Sequence, residues 1–151
     1  MEIARWLHLL GVVVWVGGMF FAYLVLRPTA AALLQPPQRL PLWQATLKRF
    51  FAWVWVAVGL ILGSAAWMIH LLGGFRGVGV HVHLMLGIGV VMMLIFVHVF
   101  FAPFARLTRS VQAQDWKAAG AALGQIRKLV GLNLLLGLIT ITVALFGRLW
   151  V

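Results

Sequence analysis

Four long apolar runs constrain this chain more than anything else in it. They cover residues 4–26, 50–72, 78–101 and 129–150. Each reaches the roughly 20 residues that a helix needs to cross the hydrocarbon of a bilayer. Backbone N–H and C=O groups find no water in lipid, so a spanning segment must satisfy them internally, as a helix does. The expected fold is all-α: an integral membrane four-helix bundle, one domain over residues 1–151. Composition agrees, with 64% apolar and 9% charged residues. Soluble domains carry about 45–50% and about 25%, and a globule this small has too much surface for its volume to hide the excess. The first run is too long for a signal-peptide core and Arg27-Pro28 follows it directly, so it reads as a span rather than a cleaved leader.

The charges set the expected orientation. Twelve Lys and Arg face two acids, Glu2 and Asp115. The first loop, 27–49, carries Arg27, Arg39, Lys48 and Arg49. The third, 102–128, carries Arg106, Arg109, Lys117, Arg127 and Lys128. The second holds only Arg76, and the ends hold Arg5 and Arg148. Basic loops stay in the cytoplasm. Both termini and the second loop are therefore expected on the periplasmic side of a bacterial-type inner membrane. The bases sit between spans and form no stripe with exposed aromatics, which argues against nucleic-acid binding. Pro28, Pro36, Pro37 and Pro41 keep the first loop from being one continuous helix. Asp115 is a candidate N-cap for a short surface helix over 115–128.

The chemical inventory is narrow. There is no cysteine, which removes disulfides, thiolate zinc, iron–sulfur clusters and c-type haem attachment. Two acids are too few for a calcium cage or a carboxylate-pair hydrolase. Histidine, methionine, aromatic rings and glycine remain. In alternating helices, His8, His70, His81 and His83 all reach the outer side, with His98 alone toward the inner side. Polar groups at membrane depth usually face the bundle interior, so a metal or cofactor site among these four imidazoles is the expectation. His81 and His83 stand about 200° apart around a helix. The deeper His83 is expected to face inward and His81 elsewhere.

Two chemistries suit this set. A b-type haem would take axial imidazoles from His8 with His70 or His83, with Trp15 and Trp67 along the ring. Gly11 and Gly18 would leave room for it, and Arg76 or Arg148 would pair with its propionates. Such a site would serve electron transfer as a haem-dependent oxidoreductase, with quinone or another redox protein as candidate partner. Copper is the alternative, because Cu(I) accepts imidazole and thioether ligands. His8, His70, His81 and His83 with Met68 and Met85 would hold it, and Met92, Met93 and Met19 lie deeper. A cofactor-free structural or assembly subunit, including a homo-oligomer, is the third reading.

Several stretches carry a resemblance. They include Trp6-Leu7-His8-Leu9-Leu10, Trp15-Val16-Gly17-Gly18-Met19, Leu26-Arg27-Pro28, Phe50-Phe51-Ala52-Trp53 and His81-Val82-His83-Leu84-Met85. Phe100-Phe101-Ala102-Pro103, Ile126-Arg127, Asn133 and Gly147-Arg148 extend it over almost the whole chain. In these the chain resembles CopD-type (copper resistance D) membrane proteins, in a short stand-alone form. That resemblance implies copper uptake or handling at the inner membrane. More distantly, His8 with Trp15-Val16-Gly17-Gly18 is similar to the first helix of HemJ-type protoporphyrinogen oxidases, small four-helix proteins associated with haem b. Their third-helix His-x-Lys reads His83-Leu84-Met85 here. The likeness thus implies haem binding by His8 rather than porphyrinogen oxidation.

Overall fold

The computed structural model describes residues 1–147. It consists of helices, four of them long and apolar enough to cross a membrane. The expected contacts of Arg148 and the last residues of the fourth span lie outside the described residues.

The helices outrun the spans. The first, α1 (Glu2–Phe20), runs through a π-helical turn (Phe21–Leu26) into α2 (Arg27–Leu33). The second membrane helix, α3, spans Pro36–Leu71. Most of the first loop is therefore helical, and the chain turns only at Leu34 and Gln35. The prolines permit this by position. Pro36 and Pro37 open α3, where a missing N–H costs nothing. Pro41 lies one turn further in, close to that tolerated end. Beyond the lipid, water can solvate a helix surface, so hydropathy marks the length of the apolar stretch and not of the helix.

After α3 the chain reverses through Gly73 and Gly74, at φ +87° and +82°. That left-handed region suits residues without a Cβ. Their N–H groups bond back to the His70 and Ile69 carbonyls, closing the helix end. A 3-10 turn (Phe75–Gly77) leads to α4 (Val80–Phe101). Pro103 ends that span and opens a new helix, α5 (Pro103–Gln112). Phe104 and Leu107 bury one face of α5 against the bundle.

The last helix, α6, runs Trp116–Phe146. Asp115 caps it, its Oδ1 accepting the Ala118 N–H at 3.0 Å. The predicted cap holds, but the capped segment continues into the fourth span. Residues 115–128 do not form a separate helix lying on the surface, because nothing at Leu129 interrupts helical geometry.

Packing pairs α1 with α3, and α6 with α4 and α5. Aromatic rings close the bundle between α3 and α4. Phe51 meets Phe96 and Phe104 edge-on at 5.5 and 5.1 Å, and Trp55 meets Phe96 at 5.0 Å, favourable geometry for ring quadrupoles. Asn133, buried in α6, donates from Nδ2 to the Met92 carbonyl of α4 at 3.0 Å. Trp53, Leu94, Phe101 and Leu145 stand outside, each more than half exposed. In water that would be untenable; in a bilayer it is the lipid-facing surface.

Candidate functional site

The seam between α1 and α3 is set by small residues. A Cβ on Gly11 would lie 2.8 Å from Ile61 Cγ1 and 3.0 Å from the Ala57 carbonyl oxygen. Only a glycine lets α3 approach so closely. One turn toward the N-terminus of α1, the same seam brings His8 Nδ1 to 3.0 Å from the Ser64 hydroxyl. Ser64 is buried, and its own hydrogen goes to the α3 backbone, toward the Leu60 and Ile61 carbonyls. A hydroxyl has one hydrogen; with it on the α3 backbone, the imidazole is the donor in the contact with His8. This assignment sets the tautomer. Nδ1 carries the proton and Nε2 keeps its lone pair, the state in which a histidine can ligate a metal.

Met68 stands four residues after Ser64 and seven after Ile61, both of which touch α1. Helical periodicity continues that face to Met68, which is half-buried. On α1, Ala4 lies one turn before His8 and is fully buried. His8 and Met68 thus belong to one seam, at the end of the bundle where α1 begins and α3 ends.

The other histidines go elsewhere. His81 turns toward α6, where a Cβ on Gly147 would lie 2.5 Å from His81 Cβ. Its Nδ1 is buried with no hydrogen-bond partner among the described residues. His83 is exposed, its Nδ1 bonded to the Gly79 carbonyl at 3.2 Å and its ring 6.2 Å from Phe75. The expected orientation of this pair is thus reversed: the shallower His81 faces the bundle. The 200° separation is as expected, but its direction follows from how α4 rolls onto α6. His70, Arg76 and His98 are exposed and Met85 is half-buried. Among the described residues, no three His, Cys, Asp or Glu side chains gather to hold a metal ion.

The positions expected to admit a haem are filled by the protein itself. Gly11 faces Ile61 and Ala57, Gly18 is covered by the Phe50 ring, and Trp15 is buried edge-on against Phe96. Trp67 is exposed. Sequence reasoning singled out the imidazoles and missed Ser64. The rule that polar groups at membrane depth face inward holds for hydroxyls as for imidazoles, and Ser64 is the one hydroxyl of the second apolar run.

No curated protein and no solved structure matches the chain. The family described as Copper resistance protein D, CopD, matches residues 44–146, about two thirds of the chain. The match takes in Ser64, Met68 and the histidines of α3 and α4, while His8 precedes it. With four helices able to span a bilayer and a family match over most of its length, the chain belongs to the CopD family of multi-pass, copper-resistance-related membrane proteins.

Proposed function

We propose that this protein handles copper at the inner membrane, taking Cu(I) as cargo at the α1–α3 seam with His8 Nε2 as anchoring ligand. The hydrogen bond from His8 Nδ1 to Ser64 carries the reading. A metal-ligating histidine commonly donates its other ring N–H to a fixed acceptor, which orients the ring and sets its tautomer. His8 has that arrangement. Met68 supplies a thioether on the same seam, and imidazole with thioether is a donor set for Cu(I) at low coordination number. Family membership points to the same metal.

A b-type haem would call on the same Nε2 but does not fit as well. The glycine faces that would admit the macrocycle are occupied by Ile61, Ala57 and Phe50. Copper is therefore favoured over haem, and over haem-dependent electron transfer to quinone.

Purified protein under reducing conditions should bind Cu(I) in competition with a chromophoric chelator. His8→Ala should abolish binding and Met68→Leu should weaken it. Unchanged binding in His8→Ala would overturn the proposal, and a Soret band in the pure protein would restore the haem reading.

A further inference from the structure

Away from the α1–α3 seam, a cavity of about 420 Å³ opens at the opposite end of the bundle, the end carrying both basic loops. That volume lies within the usual range for small-molecule sites, about 300–1,000 Å³. Its walls come from the π-helical turn after α1, from α2, and from the first halves of α3 and α6. The deeper wall is apolar, with Leu40, Leu47 and Val130. Trp43 and Trp116 add flat ring surface. No His, Cys or Met lines it, so it is not a place for copper or haem iron.

Three guanidiniums line it as well: Arg27, Arg39 and Arg127. In sequence, Arg27 directly follows the first apolar run, Arg127 lies two residues before the fourth and Arg39 lies in the first turn of α3, so all three stand on the basic-loop side of the spans. Arg27 stacks on Tyr23 at 4.7 Å from the ring centroid, and Tyr23 in turn packs on Gly131. Among the described residues none of the three has a carboxylate partner. The chain has two acidic side chains; Glu2 pairs with Arg5 at the far end, and Asp115 accepts the Ala118 N–H. Three cations around one apolar cavity repel each other unless an anion joins them.

The cavity is also open where a packed interface would be closed. Gly120 and Gly124 of α6 line it, and a Cβ on either would meet nothing within 4 Å. Gly17, Gly59, Gly63, Gly87 and Gly89 are equally open but do not line the cavity, whereas Gly11, Gly18, Gly131 and Gly137 are each in contact with a neighbouring side chain.

We infer that this cavity is a binding site for an anionic phospholipid, its phosphate held by Arg27, Arg39 and Arg127 and an acyl chain lying along Gly120 and Gly124. Guanidinium pairs with phosphate through parallel N–H bonds, and basic pockets between membrane helices take up acidic headgroups. The apolar depth selects a lipid over a free anion: inorganic phosphate would satisfy the arginines and leave the deeper wall unfilled.

The test uses the purified full chain in mixed micelles. Phosphatidylglycerol or phosphatidylcholine with brominated acyl chains is added at equal mole fraction, and tryptophan quenching is followed. Trp6, Trp53, Trp55, Trp67 and Trp150 are replaced by Phe, so that beside the buried Trp15 only Trp43 and Trp116, on the cavity wall, report. Brominated phosphatidylglycerol should quench at a concentration at least tenfold below phosphatidylcholine. Arg39→Gln with Arg127→Gln should erase that preference, at roughly fivefold for each guanidinium removed. Gly124→Leu leaves every charge in place and fills the cavity; it should abolish the extra quenching while circular dichroism stays helical. Equal quenching by the two lipids, unchanged quenching in Gly124→Leu, or full displacement of phosphatidylglycerol by millimolar inorganic phosphate would each overturn the inference.

Discussion

Replacing Ser64 by alanine isolates the bond on which the copper reading rests. The substitution removes one oxygen and leaves the α3 backbone intact, since the Leu60 and Ile61 carbonyls belong to the helix that contains them. What is lost is the acceptor 3.0 Å from His8 Nδ1. Interhelical side-chain hydrogen bonds in membranes average about 0.6 kcal/mol and reach about 1.7 kcal/mol. Ser64 is buried, at 3% exposure, so water does not readily replace the acceptor, and a loss of about 1 kcal/mol is expected. The effect on metal affinity should be larger. Without Ser64 the imidazole rotates and either nitrogen can carry the proton. Loss of such an outer-shell partner costs about 10–100-fold in metal affinity, or about 1.4–2.8 kcal/mol. Cu(I) competition titrations and thermal unfolding, run on the same preparations, give the two numbers side by side. Ser64→Ala binding Cu(I) as tightly as the parent, with His8→Ala inactive, would refute the argument: His8 would then be a ligand whose tautomer Ser64 does not control.

Three further outcomes follow from the packing and the charges. Gly11→Leu forces a side chain into Ile61 and the Ala57 carbonyl; overpacking of this kind costs about 1–3 kcal/mol, and the same variant should weaken Cu(I) binding by parting His8 from Ser64, both read in the assays above. Asn133→Leu removes a bond to Met92 together with a buried Oδ1 that has no partner among the described residues, so thermal unfolding should shift by no more than about 1 kcal/mol; a loss above about 2 kcal/mol would mean that Oδ1 is bonded in the membrane. A periplasm-active reporter fused after Val151 should be active, as the concentration of basic residues in the first and third loops requires; activity of a cytoplasmic reporter there would reverse the orientation.

The candidate site was half legible. His8 stood out because an imidazole inside an apolar run is costly and therefore informative. Its partner did not, because Ser64 can satisfy its hydroxyl on its own helix backbone, as serine in membrane helices commonly does. The glycines of α1 were visible as a close-approach face. Whether that face admits a macrocycle or a neighbouring helix depends on what stands opposite, and Ile61, Ala57 and Phe50 stand there. The cavity beside Arg27, Arg39 and Arg127 was not visible, since its walls come from segments as distant in sequence as Ala22 and Val130.

The sequence by itself determined the class of structure and the number of crossings. Lipid offers the backbone no hydrogen-bond partners, so four apolar runs of sufficient length become four helices whatever their neighbours. The Asp115 cap and the reversal at Gly73 and Gly74 are equally local, settled by a side-chain oxygen and by missing Cβ atoms. Only the tertiary structure decided how each helix is turned about its own axis. That rotation puts His8 on Ser64, His81 against α6 and His83 outside. It depends on which ridges fit which grooves across the bundle, a property of pairs of surfaces that no single run of residues contains.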